Sequence, residues 1–259
     1  MKKIILTGLL LVFFSSLSVF AWERFLVPDN RPTKVFEVYG WTNQLYGNMS
    51  VQGLNLNLEN NVNLGTNLKF GARFQYPITK TNNLSLTFNY MDDSGTVNTG
   101  YTFKGVTYAA GSNLDITNMM FDLMGSREIT RDRSGWFDFL YGMKIISTDI
   151  NATKVTGASN RWTGVFPLPY LGLGGGTYIT DRILLDGHLK YMNIRTGNGG
   201  VDSTDLDFNV SYRLNPYNKS TEWYGWVGYR NFYINGNTSG NNVNLHYSGP
   251  LFGIVSRWG

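Results

Sequence analysis

The sequence predicts an all-β fold, a transmembrane antiparallel up-and-down β-barrel of about ten strands, with eight or twelve as the alternatives. Three observations carry this expectation. Apolar and polar residues alternate with a period of two in about ten segments. The connectors between those segments switch between short and long. The chain also opens on a stretch with the features of an export signal. The alternation is cleanest from Asp205 to Leu214, where Leu206, Phe208, Val210, Tyr212 and Leu214 are apolar and every residue between them is polar or charged. That length matches one membrane crossing by a tilted strand.

Taken in order, Lys2 and Lys3 form a basic start, residues 4–14 an apolar core, and Val19-Phe20-Ala21 a small-residue cleavage site. Residues 1–21 are therefore read as a signal peptide and 22–259 as a single barrel domain. The rival reading, a retained anchor, is disfavoured because the apolar core is shorter than the ~20 residues of a spanning helix. Pro28 and Pro32 mark 22–33 as a short periplasmic lead-in.

The ten strands are expected at 34–46, 67–76, 83–92, 113–124, 135–148, 167–178, 182–194, 205–214, 222–233 and 242–258. Short links fall at 77–82, 125–134, 179–181 and 215–221, whereas 47–66, 93–112 and 149–166 are longer. Barrels of this class keep short turns in the periplasm and long loops outside, and an even strand number returns both termini to the periplasm. The later outer loops, near 198–200 and 235–241, are rich in Gly and Asn, as tight hairpins require. Leu54-Asn55-Leu56-Asn57-Leu58 alternates as well, so the first outer loop extends its hairpin above the membrane or the strand number differs.

Composition agrees with a barrel. A hydrophobic fraction of 42% and a mean hydropathy of −0.20 are low for a helical membrane protein, but only alternate residues of a barrel strand face lipid. Cysteine is absent, which excludes disulfide frameworks, thiolate metal sites and cysteine nucleophiles. Two of the charges behind the formal +4 belong to Lys2 and Lys3, leaving too little for a nucleic-acid partner. Two histidines, His188 and His246, are too few for a multi-histidine metal site, so no cofactor or metal is expected.

A cation on the lipid face at midplane costs roughly 2–4 kcal/mol, so charges choose the inward face. This turns Asp186, His188 and Lys190 inward and Leu185, Leu189 and Tyr191 toward lipid. In the next strands Asp205, Asp207 and Arg213 point inward, as do Arg230, Lys69 and Arg73. A hairpin centred at Asn198 and Gly199 sets Lys190 opposite Asp207, and a turn centred between Asn218 and Lys219 sets Arg230 opposite Asp207 from the other side. The expectation is a luminal ion-pair network of Lys190, Asp207 and Arg230; the alternative is solvated pore charges without fixed partners. Ten strands lie near the size whose interior side chains fill, so the lumen is expected to be narrow or plugged.

The chain ends Gly249-Pro250-Leu251-Phe252-Gly253-Ile254-Val255-Ser256-Arg257-Trp258-Gly259. This resembles the terminal strand that outer-membrane assembly machinery recognises, through Gly253 and the aromatic Trp258. It departs at Ser256, where that pattern prefers an apolar residue, and at the extra glycine after the aromatic. Over residues 22–259 the pattern resembles small monomeric Gram-negative outer-membrane barrels such as the OmpA transmembrane domain and OmpW, and more closely barrel proteins ending in a similar Ser-Gly-Pro strand. The resemblance implies outer-membrane lipids, lipopolysaccharide and the assembly machinery as partners, and carries over no functional residue.

The functional expectation is a structural or surface-interacting barrel rather than an enzyme, with a porin-like small-solute channel or transporter as the alternative. The run Gly172-Leu173-Gly174-Gly175-Gly176-Thr177 lacks the third glycine position and the following helix of a phosphate-binding loop, and is read as small residues making room in the wall. His246 and Ser248 stand two apart on one face of the last strand, and His246-Tyr247-Ser248 is similar to the His-x-Ser element of outer-membrane lipid A deacylases and phospholipases. It departs from those families at Gly249, where they carry Asn. The resemblance implies a second alternative, a lipid hydrolase with His246 and Ser248 as catalytic residues.

Overall fold

The computed structural model describes residues 34–132, 134–196, 199–216, 220–238 and 241–258. The expected signal peptide and lead-in lie outside these residues. Ten long strands form the wall: β1 (Lys34–Val51), β4 (Asn67–Pro77), β5 (Asn82–Val97), β8 (Asn113–Arg131), β9 (Gly135–Thr153), β10 (Ser159–Tyr178), β11 (Ile183–Thr196), β12 (Gly199–Arg213), β13 (Thr221–Thr238) and β14 (Asn241–Trp258). Between them lie β2 (Leu54–Asn57), α1 (Leu58–Asn61), β3 (Val62–Leu64), β6 (Tyr101–Phe103) and β7 (Val106–Tyr108). Each long strand pairs antiparallel with the next, and β14 returns to β1 from Lys34↔Trp258 to Ser50↔Asn242, so the sheet closes.

All ten strands stand where the alternation predicts, and most run further toward the long-loop end. The loop after β1 resolves the open question about 54–58. β2 folds back on β1 with Asn48↔Asn57, and β3 pairs with β5, so the hairpin extends upward and the wall keeps ten strands. The turns that begin β2 and β7 have positive φ at both central residues, Gln52 and Gly53 in one and Lys104 and Gly105 in the other, which is the two-residue hairpin geometry whose twist matches that of the strands.

At the short-turn end local side chains take over the backbone. Asp132 Oδ1 accepts from the Ser134 hydroxyl and from the N–H groups of Ser134 and Gly135 at 2.7–2.8 Å. These bonds, the hydroxyl first, hold the Asp132 carboxyl below the usual carboxylate range.

The pleat sorts side chains by parity. Phe36, Val38, Phe70, Leu86, Phe121 and Ile254 are exposed on the outside, among many other large apolar residues. Val35, Tyr39, Trp41, Leu45 and their counterparts on other strands are buried inside. Such an apolar belt is far more than an isolated soluble domain leaves bare, and it is the arrangement of a membrane barrel. Leu206, Phe208, Val210 and Tyr212 face out, whereas Asp205 and Arg213 are buried within, as parity requires.

Replacing outward-facing Val210 with Arg is expected to weaken folding into a bilayer by roughly 2–4 kcal/mol, the midplane cost of a cation on the lipid face. Urea titration of vesicle-inserted protein measures it, and an unchanged midpoint would mean that this face does not meet lipid.

Candidate functional site

The interior is mainly apolar at the long-loop end, where one buried ion pair, Lys69–Asp93, stands level with Ile116, and a larger charged layer lies beneath it. At the loop end Leu54, Leu56, Leu58, Phe103 and Tyr108 are buried in the same apolar cluster as Leu114, Ile116 and Ile150 of the wall. The rings of Tyr101 and Tyr108 stack at 4.9 Å, and the Tyr108 hydroxyl accepts from Asn160 Nδ2 at 2.9 Å, tying the β6–β7 hairpin to the start of β10. These residues form an apolar lid over the barrel mouth.

The charged layer below is built from eight strands. Asp205 on β12 accepts from Arg230 on β13 through two bonds, Nε at 2.8 Å and Nη2 at 2.7 Å, and also pairs with Lys144 on β9. Lys190 on β11 reaches Asp122 on β8 at 2.6 Å, and the Tyr170 hydroxyl on β10 donates to the same carboxylate. Tyr39 on β1 donates to Asn89 on β5 at 2.6 Å, and Arg230 Nη1 lies 3.4 Å from the same Asn89 oxygen. Lys144 and Asp205, like Lys190 and Asp122, come from strands that are not neighbours, so these bonds cross the lumen. Aromatic faces cover the cations: Arg230 lies 4.9 Å from the Trp41 ring and Lys144 4.2 Å from that of Phe232.

Toward the short-turn end lies a luminal cavity of about 50 Å³, lined by Glu37, Arg73, His188, Lys190, Asp207 and Asn209 among others. A water needs roughly 10–15 Å³, so this volume has room for a few waters and for no larger solute. Glu37 and Arg73 pair across its wall at 2.7 Å.

The expected network centred on Asp207 is corrected here. The structure sets His188 opposite Asp207 and Lys190 opposite Asp205. The hairpin between β11 and β12 is centred one residue earlier than the sequence reading placed it, and a one-residue shift of centre moves every partner by two while leaving each side chain on its face. Arg230 is opposite Asp207 in register, yet its guanidinium bonds Asp205, the diagonal neighbour within reach of a long side chain. The carboxylate clamped by two cations is thus Asp205. Asp207 accepts from His188 Nδ1 at 3.0 Å and from Asn209 at 3.3 Å. Lys144 and Asp122 were absent from the sequence reading; the same parity rule finds them, since each is a charge between apolar outward neighbours.

His246 and Ser248 both lie on the outward face of β14. His246 Nε2 donates to Asn231 Oδ1 on β13 at 3.0 Å, its ring sits 6.1 Å from that of Tyr46, and Ser248 is flanked in register by Gln44 and Asn231. The glycine run does make room. A Cβ on Gly174 would come within 2.8 Å of the His188 ring, and one on Gly176 within 2.4 Å of the Trp136 indole. Among the described residues no group of three or more His, Asp or Glu side chains is arranged to hold a metal ion.

No protein-family model and no curated protein matches the chain. Solved structures do. The outer membrane protease OmpT from Escherichia coli superposes with a TM-score of 0.55 at 10% identity, covering 92% of this chain and 99% of that one. The translocator domain of the autotransporter NalP from Neisseria meningitidis gives 0.45 at 13% identity over 99% and 96% of the two chains, and the transport unit of the autotransporter AIDA-I from Escherichia coli gives 0.43 at 9% over 94% and 95%. At these identities the shared property is the fold, that of a bacterial outer-membrane β-barrel.

Asp205→Ala is expected to destabilise the protein by about 3–5 kcal/mol, because it strands Lys144 and Arg230 in the interior without a counter-charge. Asp207→Ala, which leaves one histidine beside a cavity with room for water, should cost clearly less. Denaturant unfolding of the two variants in lipid vesicles ranks them, and the reverse order would place the interior ion pairs wrongly.

Proposed function

We propose that this chain is an outer-membrane barrel with a structural or surface-interacting role and a lumen closed to diffusion. The observation that carries this reading is the pairing of two barriers: the cross-lumen layer of Lys144, Asp205, Arg230, Lys190 and Asp122, and the apolar lid above it. The outward apolar belt supports a place in the outer membrane, in contact with lipid and lipopolysaccharide. Short turns at one end and longer loops at the other support periplasmic termini and surface-exposed loops. A closed ring with no free sheet edge fits a monomer delivered by the outer-membrane assembly machinery. The role proposed is like that of small barrels typified by the OmpA transmembrane domain and OmpW, although OmpA-type barrels have eight strands where this wall has ten.

A second reading, hydrolysis of outer-leaflet lipid esters at Ser248, draws on one contact, the Asn231 oxygen that orients His246. Lipid analysis of membranes carrying the natural protein or Ser248→Ala decides it, since identical acyl-chain profiles would dismiss catalysis.

In planar bilayers the protein is expected to give no steady current. The triple change Lys144→Ala, Asp205→Ala and Arg230→Ala removes the Asp205 cluster and leaves the Lys190–Asp122 pair and the lid in place, so any current it admits should remain small. A stable ohmic conductance from the unaltered protein would instead favour the channel or transporter reading.

A further inference from the structure

The outward face of the wall is recessed at its short-turn end, across β5, β8 and β9. An open groove of about 550 Å³ lies there, lined by Ile78, Leu84, Leu123, Gly125, Tyr141 and Met143 among others. The ladders set these residues side by side. Leu84↔Gly125 and Leu86↔Leu123 join β5 to β8, and Gly125↔Tyr141 and Leu123↔Met143 join β8 to β9.

Gly125 accounts for the recess. It has no side chain to stand out between Leu84 and Tyr141, and the Tyr141 ring lies over it, where a Cβ would come within 2.5 Å of the ring. Any larger residue at 125 would meet that ring. The surrounding side chains, Ile78, Leu84, Leu123 and Met143, are large, apolar and exposed, so the groove belongs to the belt that faces hydrocarbon.

Its rim toward the turns is different in kind. The next outward pair beyond Leu84 and Gly125 is Asn82↔Arg127, and Arg127 is exposed on the same face of β8 as Gly125, two residues away. Lys80 is exposed in the turn that precedes β5. Other cations at this end of the barrel are engaged: Lys34 lies 5.7 Å from the Tyr76 ring, Arg131 pairs with Glu128 at 3.4 Å, and Arg182 donates to the Tyr212 hydroxyl at 3.2 Å. Among the described residues Arg127 and Lys80 have no acidic or hydrogen-bonding side-chain partner. Two uncompensated cations beside an apolar groove complement a ligand with a negative head and a hydrocarbon body.

We propose that this groove is a site for an anionic phospholipid. One acyl chain lies in the groove against Leu84, Leu123 and Met143, and the phosphate at its head accepts from the Arg127 guanidinium and the Lys80 ammonium. This inference rests on the membrane-embedded reading above and goes beyond it, because it assigns the barrel a preferred lipid class and a place where that lipid is held.

The test is methyl NMR of the protein in phosphatidylcholine nanodiscs doped with a lipid that carries a nitroxide on one acyl chain. The labelled lipid is phosphatidylglycerol in one sample and phosphatidylcholine in the other, and each methyl's signal loss with the first is compared with its loss with the second. Leu84 and Leu123 report on the groove. Leu206 and Val210, outward on β12 at the far side of the ring, report on the general lipid surface. The expected result is that labelled phosphatidylcholine weakens all four, whereas labelled phosphatidylglycerol causes a further loss at Leu84 and Leu123 alone. Arg127→Gln with Lys80→Gln should abolish that further loss. Met143→Trp, which fills the groove and keeps both cations, should abolish it too. If the unaltered protein shows no further loss at Leu84 and Leu123, or if the loss survives either variant, the site is overturned. If labelled phosphatidylcholine leaves all four methyls untouched, the membrane reading falls and this one with it.

Discussion

Hydrocarbon offers no hydrogen-bond partner, so a chain that crosses it in extended form has to satisfy its backbone within a sheet that has no edge. The return of β14 to β1 meets that demand, and much else follows from it. Closure fixes an inside and an outside, the two-residue period then assigns each side chain to one of them, and charges are driven to the lumen because the outer face is expensive for them. The inside of a ten-strand cylinder is narrow enough for long side chains to meet across it. Lys144 can therefore find Asp205 and Lys190 can find Asp122 although their strands are not adjacent.

That cross-lumen layer is a specificity device as much as a source of stability. Desolvating charges costs about as much as their pairing returns, so a buried salt bridge adds little net energy over an apolar filling, whereas a single missing partner is severe. The layer thus tolerates one arrangement of strands and penalises slipped registers that would leave a cation alone. The apolar lid above it has the opposite character, non-directional and continuous with the inner wall. Beneath the lid lies the small cavity lined by His188 and Asp207.

The sequence disclosed the strands because alternation is local: Asp205 to Arg213 announces both its conformation and its faces without reference to any other residue. Inward placement of Lys69, Arg230 and His188 was legible for the same reason. Pairing was less so. The register between β11 and β12 depends on where a glycine- and asparagine-rich turn closes, and a single-residue difference there moved Lys190 from Asp207 to Asp205. Which cation meets which carboxylate across the lumen depends on strand tilt and stagger around the whole ring, information that no window of sequence contains. The strands also outran their predicted ends, since beyond the membrane the alternation dissolves into Asn, Thr and Gly while the ladders persist. Asn231 beside His246 illustrates the same limit, because neighbours on adjoining strands are set by register alone.

The most direct measurement is a set of interstrand nuclear Overhauser effects between the first and last strands of the protein in a lipid nanodisc. The account predicts cross-peaks at Phe36–Ser256, Val38–Ile254 and Leu45–Tyr247, the pairs that join β1 to β14. Edge strands with rapidly exchanging amides and no contact between these residues would describe an open sheet, and would contradict the closed cylinder on which the faces and the luminal layer depend.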